Sequence, residues 1–154
     1  MAPRIYIDAD ACPVKDEAIR VTARHQLEIF IVSNGGIRPY PDAHVHMVIV
    51  PEGPDVADQW IAERAAKTDI VVTSDMPLAA AVIANGATVL RPNGDPLTGA
   101  NIGGQLATRD LMADLRAADP LAVGAGKQGG RPFTKQDRSR FLERLEATIR
   151  QVKA

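Results

Sequence analysis

Short apolar runs alternate with stretches of helical period along most of the chain. Ile5, Tyr6 and Ile7 form the first run and predict a buried strand, which breaks off at two aspartates, Asp8 and Asp10, with one small residue between them. Pro13 then suits the first turn of a helix, because that turn has no use for the missing N–H. Val14, Ala18, Ile19, Val21, Thr22 and Ala23 give this helix an apolar stripe that ends near His25. Ile29 to Val32 predicts a second strand. Strand, helix and strand make a βαβ unit, and a repeat of roughly twenty residues fits a right-handed crossover between parallel strands.

The same alternation continues downstream. Val45 to Val50 reads as a strand stopped by Pro51, Gly53 and Pro54, and Asp55 to Lys67 as a helix N-capped by Asp55, with Val56, Trp60, Ile61 and Ala65 near helical spacing. Asp69 to Thr73 and Ala87 to Leu90 predict two strands around an alanine-rich helix, Met76 to Ala84, closed by Asn85 and Gly86. Gly35 to His44 and Pro92 to Gly104 read as loops, Gln105 to Ala118 as a helix and Gly124 to Pro132 as a flexible glycine-rich stretch. Thr134 then caps a helix, Lys135 to Lys153, striped by Phe141, Leu142, Leu145, Ile149 and Val152. No repeat of solenoid length is present. The pattern predicts an α/β fold: a three-layer α/β/α sandwich with about five mostly parallel strands, forming one domain over residues 1–154.

With 45% hydrophobic and 24% charged residues, the chain is ordinary for a globular domain and too polar throughout for a membrane span. Its first residues, MAPRIYIDAD, hold no apolar stretch of signal-peptide length. One cysteine, Cys12, excludes an internal disulfide and a multi-cysteine metal site, so a reducing cytoplasm is the expected compartment. The net charge of -1 hides a split. Residues 1–126 hold 10 Lys/Arg against 16 Asp/Glu, and residues 127–154 hold 8 against 3. A basic tail can serve a polyanion, although a solvated helix face is the commoner reading of a charge run.

The acidic positions carry the candidate chemistry. Asp8 and Asp10 stand where the first strand ends, and in open α/β sheets that edge is where ligands bind. Asp75 repeats the arrangement of Asp8, following an apolar strand and preceding a proline-opened helix, while Asp55 and Asp58 share a face in the first turn of their helix. Carboxylates without His or Cys suit the hard cations Mg²⁺ or Mn²⁺. Asp8, Asp10, Asp55 and Asp75 are therefore the candidate metal ligands, and Asp8, Asp10, Asp58 and Asp75 the candidate catalytic group. For any single aspartate a helix cap is the competing explanation, but capping does not require two carboxylates at Asp8 and Asp10. Ser33, Asn34, Thr73 and Ser74 lie at the same strand ends and are candidate substrate contacts, and Lys127, Arg131 and Lys135 of the basic tail are candidate phosphate contacts.

Other residues fit quieter roles. Cys12 precedes a helix, where a thiolate is favoured, yet no second cysteine makes a redox motif. His25, His44 and His46 show no spacing that brings them to one metal, and Trp60 falls at a core position. No glycine-rich loop ends in Gly-Lys-Ser/Thr, which excludes a phosphate loop of that kind.

Four motifs carry a resemblance to a known family. IDADACPVKDEAIR (Ile7 to Arg20), GPDVADQWI (Gly53 to Ile61), VVTSDMPLAAAVIANGATVLRP (Val71 to Pro92) and GGRPFTKQDRSRFL (Gly129 to Leu142) resemble the YaiI/YqxD family of uncharacterised bacterial proteins, whose domain is similar to PIN-like and NYN metal-dependent nucleases. The resemblance implies a PIN-like fold and Mg²⁺- or Mn²⁺-dependent hydrolysis of phosphodiesters, with RNA as the expected partner. It sets Asp8 as the first-strand acid, Asp58 or Asp55 as the middle acid and Asp75 as the acid after the fourth strand, although the middle acid of that pattern is often Glu. Two other readings stay open. A haloacid-dehalogenase-like phosphatase or phosphotransferase would use Asp8 and Asp10 as nucleophile and general acid, with Thr73 as its later hydroxyl, but lacks a convincing later lysine. A non-catalytic RNA-binding or regulatory module would use the basic tail.

Overall fold

The computed structural model describes residues 2–9, 12–35, 40, 42–53, 55–100, 102 and 133–153. Six strands, β1 (Ile5–Asp8), β2 (Ile29–Ser33), β3 (Val45–Ile49), β4 (Ile70–Val72), β5 (Thr88–Leu90) and β6 (Pro96–Leu97), form one sheet in the order β3-β2-β1-β4-β5-β6. The first five in this order run parallel, and β6 returns antiparallel to β5. Strand alternation divides the core. Ile5 and Ile7 of β1 face helices α1 (Lys15–Arg24) and α4 (Lys135–Lys153), whereas Tyr6 faces α2 (Val56–Arg64) and α3 (Met76–Ala84). Both faces of the parallel sheet are thus covered, which is why its strands read as near-continuous apolar runs. The three-layer expectation holds.

The sheet reverses direction between β1 and β4. From β1 the chain winds outward to β2 and β3, then returns to place β4 on the other side of β1. This opens a crevice outside the carboxyl ends of β1 and β4, the usual ligand site of doubly wound sheets.

Element boundaries follow local chemistry. α3 begins and ends where its signals stand: Asp75 Oδ1 accepts from Leu78 N at 2.9 Å, Pro77 lies in the first turn, and Gly86 at φ +92° takes the left-handed position after the last turn. α4 is opened by a reciprocal cap, in which Thr134 Oγ1 accepts from Asp137 N and Asp137 Oδ2 accepts from Thr134 N. α4 also presses on the β5–β6 turn, where a Cβ on Gly94 would lie 2.9 Å from the Arg140 backbone.

Several expectations need adjustment. α1 starts at Lys15 rather than Pro13, because residues 13 and 14 form a turn first. Asp55 occupies the N-cap position of α2 but makes no side-chain cap bond, and its backbone is left-handed at φ 65°. β6 lies inside a segment that reads as loop, since two residues, one of them proline, give no strand periodicity. The predicted helix Gln105 to Ala118 and glycine stretch Gly124 to Pro132 lie outside the described residues. Among the described residues no helix is long and apolar enough to cross a membrane.

Candidate functional site

The crevice contains three of the four predicted catalytic acids, the fourth, Asp10, lying outside the described residues. Asp8 ends β1 and forms part of two adjoining hollows. One, of about 310 Å³, is walled by Asp8, Cys12, Thr73, Ser74, Asp75 and Pro92. The other, of about 100 Å³, is walled by Asp8, Asn34, Gly53, Asp55 and Asp58 among others. The strand-end acid of β1 is therefore the wall that the two hollows share.

A short relay fixes its carboxylate. The register Ile7↔Val72 sets Asp8 beside Thr73, whose Oγ1 accepts from Asp75 N at 3.0 Å and donates to Asp8 Oδ2 at 2.9 Å. Accepting the amide hydrogen leaves the hydroxyl proton directed at Asp8. The Thr-Ser-Asp run after β4 is the sequence signal for this relay. Asp75 does cap a helix, as the simpler explanation required, but only Oδ1 is used for it.

Asp58 reports the electrostatics of the crevice. Its carboxyl is pushed up to about 7 by burial first, then by the negative charges of Asp75 and Asp8, by a side-chain hydrogen bond with Asp75, and by the charge of Asp55. Among the described residues no Lys, Arg or His pairs with Asp55, Asp58 or Asp75. A proton on Asp58 relieves part of the repulsion among these acids. A hard divalent cation would relieve it too, and the donor set of carboxylates and hydroxyls fits Mg²⁺ or Mn²⁺. Among the described residues no three His, Cys, Asp or Glu side chains form a ready-made metal cage. Mg²⁺ ordinarily keeps several waters and takes one or two carboxylates directly, which this donor set can supply.

The other candidates divide. Asn34 and Ser74 are exposed on the crevice walls, whereas Ser33 and Thr73 are each 1% exposed. Ser33 Oγ accepts from Gly35 N and so braces the turn after β2. Lys135 is exposed in the first turn of α4, and Lys127 and Arg131 lie outside the described residues. Burial pushes the Cys12 thiol up to about 11, which makes it a poor nucleophile at neutral pH. The histidines are engaged elsewhere, His25 with Glu146, and His44 and His46 both with Glu28. Arg138 reaches α1, donating to Pro13 O and Glu17 Oε1.

A family model described as "Uncharacterized BCR, YaiI/YqxD family" matches residues 6–151. The chain belongs to the YaiI/YqxD family. Similar relatives carry the name UPF0178 protein: one from Cereibacter sphaeroides is 64% identical over 148 residues, covering 96% of this chain and 89% of the relative. Another from Ruegeria pomeroyi is 62% identical, covering 95% and 93%, and one from Rhodospirillum centenum is 50% identical, covering 97% and 96%. No solved structure matches the chain. In this YaiI/YqxD chain the first and third resembling motifs supply the ends of β1 and β4, and the second supplies the first turn of α2. They meet at one crevice.

Proposed function

We propose that this chain is a Mg²⁺- or Mn²⁺-dependent nuclease that hydrolyses phosphodiester bonds in RNA. The observation that supports it best is the gathering of Asp8, Asp58 and Asp75 at the sheet's reversal point, where burial and then like charge hold a proton on Asp58 near neutral pH. Asp8 and Asp75 would hold the cation, and Asp10, Asp55 and Asp58 would assist through bound water. When bound, such an ion lowers the pKa of a water and offsets charge on the phosphate oxygens.

The chain's own groups divide the remaining work. Thr73 holds the Asp8 carboxylate in one orientation through its hydroxyl. Asp58, with its carboxyl near 7, exchanges a proton at working pH and is the candidate general base or acid. Ser74 and Asn34, exposed on the walls, contact the substrate, and Lys135 with Lys127 and Arg131 takes flanking phosphates. The single buried cysteine agrees with a reducing cytoplasmic setting.

Parallel incubations with a labelled phosphomonoester and an oligoribonucleotide, each with Mn²⁺ or Mg²⁺, test this reading. The expected result is cleavage of the RNA, an untouched monoester and no label on protein. Label trapped on Asp8 would convert the assignment to a phosphotransferase. RNA that is bound but never cut, across several sequences, would leave a non-catalytic RNA-binding module.

A further inference from the structure

A row of aromatic rings crosses the sheet beneath α2. Tyr6 of β1 stacks on Phe30 of β2 with centroids 5.2 Å apart, and Phe30 stacks on His46 of β3 at 4.7 Å with planes 20° apart. Trp60 of α2 flanks Phe30 at 6.1 Å, and the Arg64 guanidinium lies 4.0 Å from the centre of the Trp60 ring.

Burial along the row is uneven. Tyr6 is 1% exposed and belongs to the core, but Phe30 and Trp60 are only half-buried, and the side chains of His46 and Arg64 are 41% and 43% exposed. Rings that serve only the core are closed over, whereas this row opens to solvent at the junction of α2 with the edge strand β3.

The open part joins two features of the surface. α2 carries Asp58 in its first turn, in the acidic crevice, and ends with Arg64, one turn past Trp60. Arg64 also borders a hollow of about 410 Å³ with Arg4, His44 and Lys67. Two acids in that hollow are already engaged: Asp69 accepts from the Arg4 and Ala66 amides, and Glu28 faces His44 and His46. Glu63 stands 3.5 Å from Arg64 but is 72% exposed, so the pair is a weak surface contact. Arg4 and Lys67 have no carboxylate partner among the described residues.

We propose that the outer face of His46, which ends the Tyr6–Phe30–His46 stack, and the Arg64 guanidinium lying over Trp60 form a stacking platform for unpaired bases of a single-stranded nucleic acid, with Arg4, Arg64 and Lys67 supplying positive charge for its phosphates. Aromatic faces and guanidinium planes are the surfaces on which splayed bases stack, and neighbouring cations track the backbone. A paired duplex offers no free base faces, so the platform selects single strands. One strand can then run from the hollow that holds Arg4 and Lys67 along α2 to the acids of the crevice. The choice of RNA rests on the nuclease reading; the stacking chemistry does not.

Trp60 is the one tryptophan in the chain, so its emission reports the platform directly. In EDTA, with cleavage shut off, a short single-stranded oligoribonucleotide should bind and quench that emission, and a duplex of the same sequence should not. His46→Ala should weaken binding about 5- to 10-fold, and Arg64→Gln with Lys67→Gln should reduce the salt slope by about 1.4. Binding with unchanged emission, equal quenching by the duplex, or no binding at low salt would overturn the proposal. Cleavage is scored separately with Mn²⁺. A chain that quenches but never cuts keeps the platform and loses the nuclease assignment, and one that cuts with Trp60 silent does the reverse.

Discussion

Asp69 and Asp75 stand at opposite ends of one three-residue strand, β4, and their surroundings differ in kind. Asp69, 7% exposed, has both oxygens satisfied, Oδ1 by Arg4 N and Oδ2 by Ala66 N, each at 3.0 Å. It ties the segment before β1 to the turn before β4. Asp75 gives Oδ1 to its helix and meets Asp58 and Asp8, carboxylates of its own sign, in an open crevice. One acid is spent on the fold, and the other is held against repulsion. Backbone amides complete the first; on the proposed reading a cation would complete the second.

The comparison can be broken most forcefully by removing each acid. Asp75→Asn and Asp8→Asn keep shape, and an asparagine at the head of α3 can still cap it, so each should lower RNA cleavage about 100-fold or more with little loss of stability in urea. Asp69→Ala should do the opposite. It strands two amide donors and should cost about 2 to 4 kcal/mol in urea unfolding, while the folded fraction cuts RNA at the normal rate. If Asp69→Ala is neutral or Asp75→Asn unfolds the chain, the division of labour is wrong.

A smaller effect sharpens the electrostatic side. Because the folded carboxyl of Asp58 lies near 7, above its ordinary value of 3.8, the native state holds an extra proton between these values. The contribution of Asp58 to stability should therefore be undiminished below about pH 4, fall as pH rises through about 7, and then level off. Asp58→Asn removes this penalty, and thermal melts should show a gain of about 1 kcal/mol at pH 8, after allowance for solvent screening, and almost none at pH 4. Smallest is Asp55→Gly. It relieves a left-handed backbone at φ 65° and removes a charge facing Asp58, for an expected gain of about 0.5 kcal/mol at pH 8 by urea titration.

Much of this was legible in the chain itself. The apolar runs at Ile5, Ile29, Val45, Ile70 and Thr88 mark five strands because parallel strands covered on both faces need few polar positions. Asp8 and Asp75 were recognisable because each interrupts such a run just before a helix. The rest depends on contacts distant in sequence. That Asp69 is bound by an amide 65 positions away, and that Arg138 reaches Pro13 and Glu17, no periodicity reveals. Trp60 falls at a core position by spacing, yet it is only half-buried. β6 is too short to show a period at all.

Titration calorimetry with Mn²⁺ at pH 8 tests the central claim most directly. The wild-type chain should bind in the millimolar range or tighter and take up the ion more weakly as pH falls through about 7, since the proton on Asp58 competes for the same place. Asp8→Asn and Asp75→Asn should each weaken that binding about 10-fold or more, with Asp69→Asn, if it folds, unchanged. Equal binding by the wild type and both crevice variants, or affinity that does not move with pH, would contradict the account.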